Sequence, residues 1–539
     1  MRRLWISASI GAACAVVLAA AMTAVETVGA QQPPAAPAQA AGRAGGGGAG
    51  RGVAPALYGA IDTAAPRYGC VTKPTMKASF DKWFAAADAT RSGSITLDQL
   101  QTALTTALAP AAPVAVPAGG GRGAGQNQTP IACDVDLMLA ALPDKAPAKP
   151  AQPRKILVLG KASGFVHSSI PLAAKMVDAM GNTTKAWTTT ITYDSKDINA
   201  ENLKQYDLVF LDSTTGAFLD DPNDAAVTAA RRQALMDFVR GGKGLAGIHA
   251  ASDSYHASSA PRGAGGGGRG GRVAGGPVAA DPNAAPAPPP PPPPPTPAAT
   301  LAALMLSQGD RNRDQKLSKS EFSSLADAWF AQIDTDKAGA VRQSEFNARF
   351  SAIMPPPATP PPGAPRAGGG GNREAAPAAA RGAGPGQIGT WPEFNTMIGG
   401  YFKYHWNDPQ LIHVKIDDPK SPLTAMFRGK PFQIRDETYT FAQNSFSRDN
   451  VRVLTSVDYD KMSEADKAQE PARDARTDGD YALSYIRREG QGRVFYEAHG
   501  HSERNYAVKP FLEHILAGIQ YALGDLKADD SPSGYAVRK

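Results

Sequence analysis

Apolar positions fall into two kinds of pattern along the chain. Short unbroken apolar runs at 156–160, 208–212 and 245–248 have the length and composition of parallel strands buried on both faces. Residues 188–193 read as a further strand. Between these runs, 169–180 and 225–240 read as helices, the second amphipathic and ending at the stop signal Gly241-Gly242. Strands alternating with helices predict an α/β domain with a doubly wound parallel sheet. The pattern resumes after 389 with a helix from Trp391 and strand-like stretches at 411–416, 432–434, 451–457, 481–486 and 493–497. A closing helix at 511–523 carries Phe511, Ile515, Ile519 and Leu523 on one face.

The second pattern is helix, loop, helix. Phe80, Trp83, Phe84 and Ala87 share one helical face, and Leu100, Leu104 and Leu108 mark a second helix after a polar loop. That loop resembles an EF-hand, with Asp88, Thr90, Ser92, Gly93 and Ile95 in order, but it ends in Gln99. Calcium takes six to eight oxygens, including a bidentate carboxylate at loop position 12, so residues 67–143 read as a degenerate EF-hand-like region. A short helix at 131–143 stands where a partner hand would be. Two further loops at 301–353 resemble a paired EF-hand module. The first offers Asp310, Asn312, Asp314, Lys316, Ser318 and Glu321, with Gln315 in place of the turn glycine. The second offers Asp334, Asp336, Ala340 and Glu345, with Ala338 and Arg342 at ligand positions. Calcium binding of the weak, extracellular type is the expectation.

Composition divides the chain. Its 55 glycines and 46 prolines concentrate in tracts that cannot bury a core. The reading is linker at 31–66, 257–300 and 354–388, α/β domain at 154–256 and 389–525, and the helical insert between. Residues 1–30 read as a secretory leader, with Arg2 and Arg3 before an apolar run and Val28-Gly29-Ala30 as the cleavage site. An uncleaved anchor is the alternative; otherwise no segment is apolar enough to span a membrane. Export to the periplasm or the extracellular space is expected. In an oxidising compartment Cys70 and Cys133 would form a disulfide. The net charge of +6 includes many arginines in the glycine tracts. Without interleaved aromatics, these read as solubilising linkers, and no nucleic-acid partner is expected.

The chemistry concentrates in loops after strands. In open α/β sheets, ligands bind beyond the carboxyl ends of the strands. His249 ends the run Gly247-Ile248-His249, with Asp253 and His256 close behind. The α/β segments resemble the trehalose-utilisation (ThuA-like) family. The resemblance is carried by Lys161-x-x-Gly164-Phe165-x-His167-x-Ser169, Gly247-Ile248-His249-Ala250-Ala251-Ser252-Asp253, Gly399-Gly400-x-Phe402-x-x-His405, Asp436-Glu437-x-Tyr439 and Gly500-His501. It implies a flavodoxin-like sheet similar to class I glutamine amidotransferases, but no cysteine lies in this domain, which excludes their thiolate chemistry. His167, His249, His405, His501, Asp253 and Glu437 would then form a His/carboxylate pocket acting on a carbohydrate or other small molecule, suited to proton transfer beside a sugar carbonyl or hydroxyl. A divalent metal is the less favoured use of it, since no H-x-x-x-H pair is present. A non-catalytic sugar- or partner-binding module, tethered or regulated through calcium, is the rival reading.

Overall fold

The computed structural model describes residues 50–62, 69–109, 121–122, 126–256, 295–335, 337–354 and 390–534. The expected leader at 1–30, Asp336 and the linker stretches 257–294 and 355–388 lie outside them. The chain begins with α1 (Gly50–Asp62), β1 (Cys70–Thr72), α2 (Lys73–Ala87), β2 (Ser94–Thr96), α3 (Leu97–Ala107), β3 (Gly121–Arg122) and α4 (Ala132–Ala141). The α/β part follows with β4 (Lys155–Leu159), β5 (Phe165–Val166), α5 (Ile170–Thr184), β6 (Thr188–Thr192), α6 (Ala200–Leu203), β7 (Leu208–Asp212), α7 (Ala225–Arg240) and β8 (Gly244–Ile248). Next come α8 (Pro297–Gly309), β9 (Lys316–Ser318), α9 (Lys319–Ile333), β10 (Ala340–Arg342) and α10 (Gln343–Ile353). The α/β part then resumes as α11 (Pro392–Ile398), β11 (Phe402–Trp406), β12 (Leu411–Ile416), β13 (Phe432–Arg435), β14 (Thr438–Phe441), β15 (Arg452–Val457), α12 (Glu464–Lys467), β16 (Ala482–Glu489), β17 (Gly492–Glu497) and α13 (Lys509–Ala522).

Nine strands form one sheet in the order β13-β12-β15-β16-β17-β8-β7-β4-β6. The last five run parallel. Numbered along the chain and read from the β6 edge, they follow the flavodoxin-like order 2-1-3-4-5. The other four strands extend the sheet antiparallel. Connection length decides which half is which. Helices link the parallel strands, whereas β16 and β17 are joined by the tight turn at Gly490-Gln491, which only an antiparallel pair permits. The pleat sorts side chains onto two faces. Leu157, Leu159, Val209, Leu211 and Leu245 meet Leu235 and Val239 of α7 and Phe394 and Ile398 of α11. Ile156, Val158, Phe210, Ala246 and Ile248 meet Leu172 and Met176 of α5 and Leu512, Ile515 and Ile519 of α13. Each such side chain contributes roughly 1.5–3 kcal/mol by leaving water. Burial on both faces is why these strands read as unbroken apolar runs. The β11–β14 pair stands apart as a two-stranded ribbon, and its mixed aromatic and polar sequence did not announce either strand.

The N-terminal and inserted helical segments make one module from two equivalent halves. Both halves run helix, strand, helix, strand, helix, with helices of 13, 15 and 11 residues. Trp83-Phe84 before Asp88 recurs as Trp329-Phe330 before Asp334. The halves clasp crosswise: α2 lies on α9, α1 on α10 and α3 on α8. Loop strands pair the same way, β1 with β10 through Val71 and Val341, and β2 with β9 through Ile95 and Leu317. Phe80, Phe84, Phe322 and Trp329 fill the centre, with ring centroids 5.1–5.8 Å apart.

Three expectations are thereby corrected. The loops at 310 and 334 do not pair with each other, because each finds its strand partner in the N-terminal half. Part of the expected 31–66 linker is α1, whose Val53, Leu57, Tyr58 and Ile61 are buried in the module; Pro55 inside the helix had obscured its periodicity. The short helix α4 is no partner hand: its Met138 enters the α/β core beside Leu142 and α5.

Cys70 and Cys133 are disulfide-bonded, with Cα atoms 5.9 Å apart, so the bridge ties the module to α4 on the α/β domain. Arg342 adds an ion pair to Asp134 on α4, and Arg504 one to Glu345 at 3.4 Å. Among the described residues no helix is long and apolar enough to cross a membrane. The bridge closes a sequence separation of 63 residues, for which the chain-entropy model gives about 4 kcal/mol. A Cys70→Ala/Cys133→Ala double variant is expected to unfold at clearly lower denaturant than the oxidised parent, read by circular dichroism. An unchanged midpoint would show that helix packing alone holds the module.

Candidate functional site: histidines around Glu437

The site begins where β8 ends. His249 follows the buried strand directly and has a φ of 46°, in the left-handed region that costs an L-residue roughly 1–2 kcal/mol. Neighbours hold it there. The Tyr496 hydroxyl donates to the His249 carbonyl at 2.6 Å and lies 2.8 Å from Ser252 Oγ. His249 Nδ1 lies 2.9 Å from the Ala498 carbonyl. A carbonyl only accepts, so Nδ1 carries the hydrogen and Nε2 is left with a bare lone pair. That Nε2 lies 3.2 Å from His167 Nε2 and 3.3 Å from Glu437 Oε2.

The other members arrive from separate segments. His167 follows β5 in the loop beyond β4 and is buried. Glu437 and its neighbour Asp436 form the two-residue link between β13 and β14. The two carboxylates do different work. Asp436 accepts the backbone N–H groups of Gly500 at 2.6 Å and Ser502 at 2.8 Å, which fixes the loop after β17. Gly500 has a φ of 123°, and a Cβ there would meet Tyr506 Oη at 2.8 Å and Ile248 Cδ1 at 2.9 Å, so only glycine fits. Ser169 and Tyr506 hydroxyls donate to the Gly500 carbonyl at 2.9 and 3.0 Å. The loop so held places His501 Nδ1 3.0 Å from Glu437 Oε2. His405 sits within β11, opposite Tyr439 of β14, with Nδ1 3.0 Å from Glu437 Oε1. Tyr439 packs its ring on His249 at 4.3 Å between centroids.

Thus His167, His249, His405 and His501 converge on Glu437. The side chains of His405 and His501 are 31% and 26% exposed, whereas that of His249 is fully buried, so the centre opens to solvent past the first two. Asp253 stays outside the ring of contacts, as the partner of His256. Asp436 was legible as part of a motif, but its role as the clamp on the His501 loop was not, because the loop it holds lies more than 60 residues away.

Electrostatics divide the cluster. Burial pushes His167 down to about 3 and lowers His405 as well. Burial acts against the cation at His501 too, but the Glu437 carboxylate 3.0 Å away outweighs it and holds that ring up at about 9. Burial alone would raise Glu437; the imidazoles of His167, His249 and His501 gathered against it, with the charge of His501, keep it well below the carboxylate range. A carboxylate in so buried a place requires such partners. Behind the site, Glu497 accepts from His499 Nδ1 at 2.8 Å and faces His514 Nε2 at 3.3 Å.

The residues expected to bind calcium lie in the helical module. Asp310 accepts the N–H groups of Asp314 at 3.2 Å and Gln315 at 2.8 Å, and Asp314 accepts that of Lys316 at 2.8 Å. Asn312 bonds Asp314 at 3.0 Å, and Ser318 Oγ donates to Glu321 at 2.7 Å. Gln315 takes the turn position with a φ of 63°, where a glycine was expected. In the other loop, Asp334 accepts from Ala338 and Gly339, Ala340 opens β10, and Glu345 faces Arg504.

These α/β features agree with comparison to known proteins. The family model described as trehalose utilisation, ThuA, matches residues 155–280 and 378–522, just over half of the chain. The chain belongs to the ThuA family. Among solved structures it is similar to a ThuA-like protein from Bacteroides uniformis, at 14% identity and a TM-score of 0.37, covering 71% of this chain and 96% of that one. A ThuA-like protein from Parabacteroides merdae is similar at 10% identity and a TM-score of 0.31, covering 70% and 93%. No curated protein matches the chain.

Asp436→Ala would strip two buried N–H groups of their acceptor, each costing roughly 1–3 kcal/mol. The expected result is a loss of about 2–6 kcal/mol in denaturant unfolding. A loss under a few tenths of a kcal/mol would mean that the loop carrying His501 is held without that carboxylate.

Proposed function

We propose that this ThuA-family protein transfers protons on a carbohydrate or keto-sugar derivative at the Glu437 centre. One observation carries the reading. Four histidines from four separate segments converge on one buried carboxylate beyond the carboxyl ends of β4, β8 and β17, where open α/β sheets bind ligands. Imidazole and carboxylate are the groups that move protons to and from sugar hydroxyls and from carbons beside a carbonyl. His405 is assigned the proton transfer, since it is partly exposed and contacts the carboxylate oxygen Oε1, whereas the other three histidines face Oε2. The rings of Tyr439 and Phe402, 4.5 Å apart between centroids, supply an apolar wall beside it. The family description, trehalose utilisation, is in keeping with a disaccharide-derived substrate. The test is turnover of disaccharides and their keto derivatives. His405→Ala is expected to lower kcat by about 10²–10⁴ with sugar binding by calorimetry little changed. Binding without turnover of any such sugar by the parent protein would leave a recognition module instead.

Calcium binding at the loop of Asp310, Asn312, Asp314, Lys316, Ser318 and Glu321 is part of the proposal. Its support is the carboxylates at the first, fifth and last positions (Asp310, Asp314 and Glu321) and a hydrogen-bonded loop already closed around them. The companion loop is the weaker candidate, because the Arg504 guanidinium pairs with its Glu345. Export is proposed as well, since a disulfide at Cys70 and Cys133 suits an oxidising compartment. Calorimetric titration of the full chain with calcium is expected to show a saturable site that Asp310→Ala removes. The same heat in parent and variant would place the calcium elsewhere or nowhere.

A further inference from the structure

We infer that His167, His249, His501 and Glu437 form a site for one divalent first-row transition cation of the zinc type. The inference deepens the carbohydrate reading, since it gives that same centre an electrophile for a sugar oxygen. Three nitrogens and one carboxylate oxygen, one atom from each residue, all lie within 4.8 Å of one another. Ligands at bond lengths of about 2.0–2.1 Å around one tetrahedral ion stand about 3.3 Å apart, since the edge of a tetrahedron is about 1.6 times its centre-to-corner distance. Of the six separations, four are 3.2 Å for His249 to His167, 3.3 Å for His249 to Glu437, 3.0 Å for His501 to Glu437 and 3.9 Å for His167 to Glu437, and the two from His501 to the other histidines lie within 4.8 Å.

Directions agree with distances. His501 Nδ1 is buried and 3.0 Å from a carboxylate oxygen, yet among the described residues it makes no aligned hydrogen bond. His405 Nδ1, 3.0 Å from the other carboxylate oxygen, shows the same closeness without alignment on the open side. His249 supplies the independent observation. Its Nδ1–H is spent on the Ala498 carbonyl, leaving the Nε2 lone pair turned to the centre. That is the outer-shell arrangement by which a backbone carbonyl fixes the tautomer of a metal-bound histidine. His167 and His249 also bring Nε2 to Nε2 at 3.2 Å, and with the His167 hydrogen on Nδ1 a shared cation takes up a lone pair from each. The donor set selects the ion. Three imidazoles and one carboxylate suit zinc, iron, nickel or manganese, while calcium asks for oxygens alone. His405 stays outside the quartet on the open side, where a sugar hydroxyl or carbonyl oxygen would approach. The other candidate cluster, Cys70, Cys133 and Asp134, offers no thiolates, because its cysteines are bonded to each other.

The test uses the full-length protein stripped with chelator and saturated with calcium, then titrated with zinc by calorimetry. One zinc per chain is expected at the centre. His501→Ala and Glu437→Gln are expected to weaken it at least about 100-fold, and His405→Ala by less than about threefold. His501 is partly exposed and Glu437→Gln is isosteric, and thermal melts of both would show that the fold survives. Cobalt substituted for zinc should give visible absorption in the parent and lose it in His501→Ala. Zinc binding unchanged in both ligand variants, or absent from the parent, would overturn the site. Zinc bound without turnover of any sugar would remove the carbohydrate reading and leave the site standing. Turnover by a protein that binds no zinc would do the reverse.

Discussion

A buried carboxylate has to be answered by its surroundings, and Glu437 is answered by four histidines. Burial works against its charge, and the surrounding imidazoles more than reverse that cost. The demand reaches outward in layers. His249 needs Tyr496 and the Ala498 carbonyl to keep a strained backbone and one tautomer. His501 needs Asp436 to pin its loop, and Gly500 to let the chain pass beneath Tyr506. Because Asp436 and Glu437 are adjacent, one short link between β13 and β14 both positions the loop of His501 and collects the rings.

The antiparallel half of the sheet exists in service of this arrangement. A five-stranded parallel sheet alone supplies His167, His249 and His501 at its carboxyl edge. It has no means of bringing a carboxylate over them. The strands β12 and β13 and the β11–β14 ribbon carry the chain back across that edge and deliver Glu437 and His405. The parallel scaffold is thus the support, and the later strands complete the chemistry.

The helical module obeys a different constraint. A half-module of three helices cannot bury its aromatic face alone, so residues 50–107 and 297–353 bury theirs in each other. The α/β strands of 155–248 lie between those halves in sequence, and the resulting module is held to the α/β domain by the Cys70–Cys133 bridge and by Arg504 and Glu345. Arg504 lies three residues past His501, so one loop touches both the histidine centre and the last residue of an acidic loop.

Local sequence by itself determined the strands and helices of the parallel half, because burial on both faces writes unbroken apolar runs at 156–160, 208–212 and 245–248. It also determined that cysteine chemistry is absent, and which loop histidines to examine, since the motifs at His167, His249, His405 and His501 are local. It did not show β11 and β14, whose aromatic and polar alternation fits strand, turn or core equally well. It did not show the two-half symmetry of the helical module, although Trp83-Phe84 and Trp329-Phe330 carried the signal, because the linkers and the α/β strands of 155–248 separate the halves in sequence. Only the tertiary structure decided that the loops pair across the halves, that Asp253 belongs to His256, and that Glu437 stands at the meeting point of four histidines. The loop pairing and the meeting at Glu437 rest on distances between residues tens to hundreds of positions apart, and spacing along a chain holds no information about which distant segments a fold will close upon each other; Asp253 and His256 are three positions apart, and there it is the turn that decides which way each side chain faces.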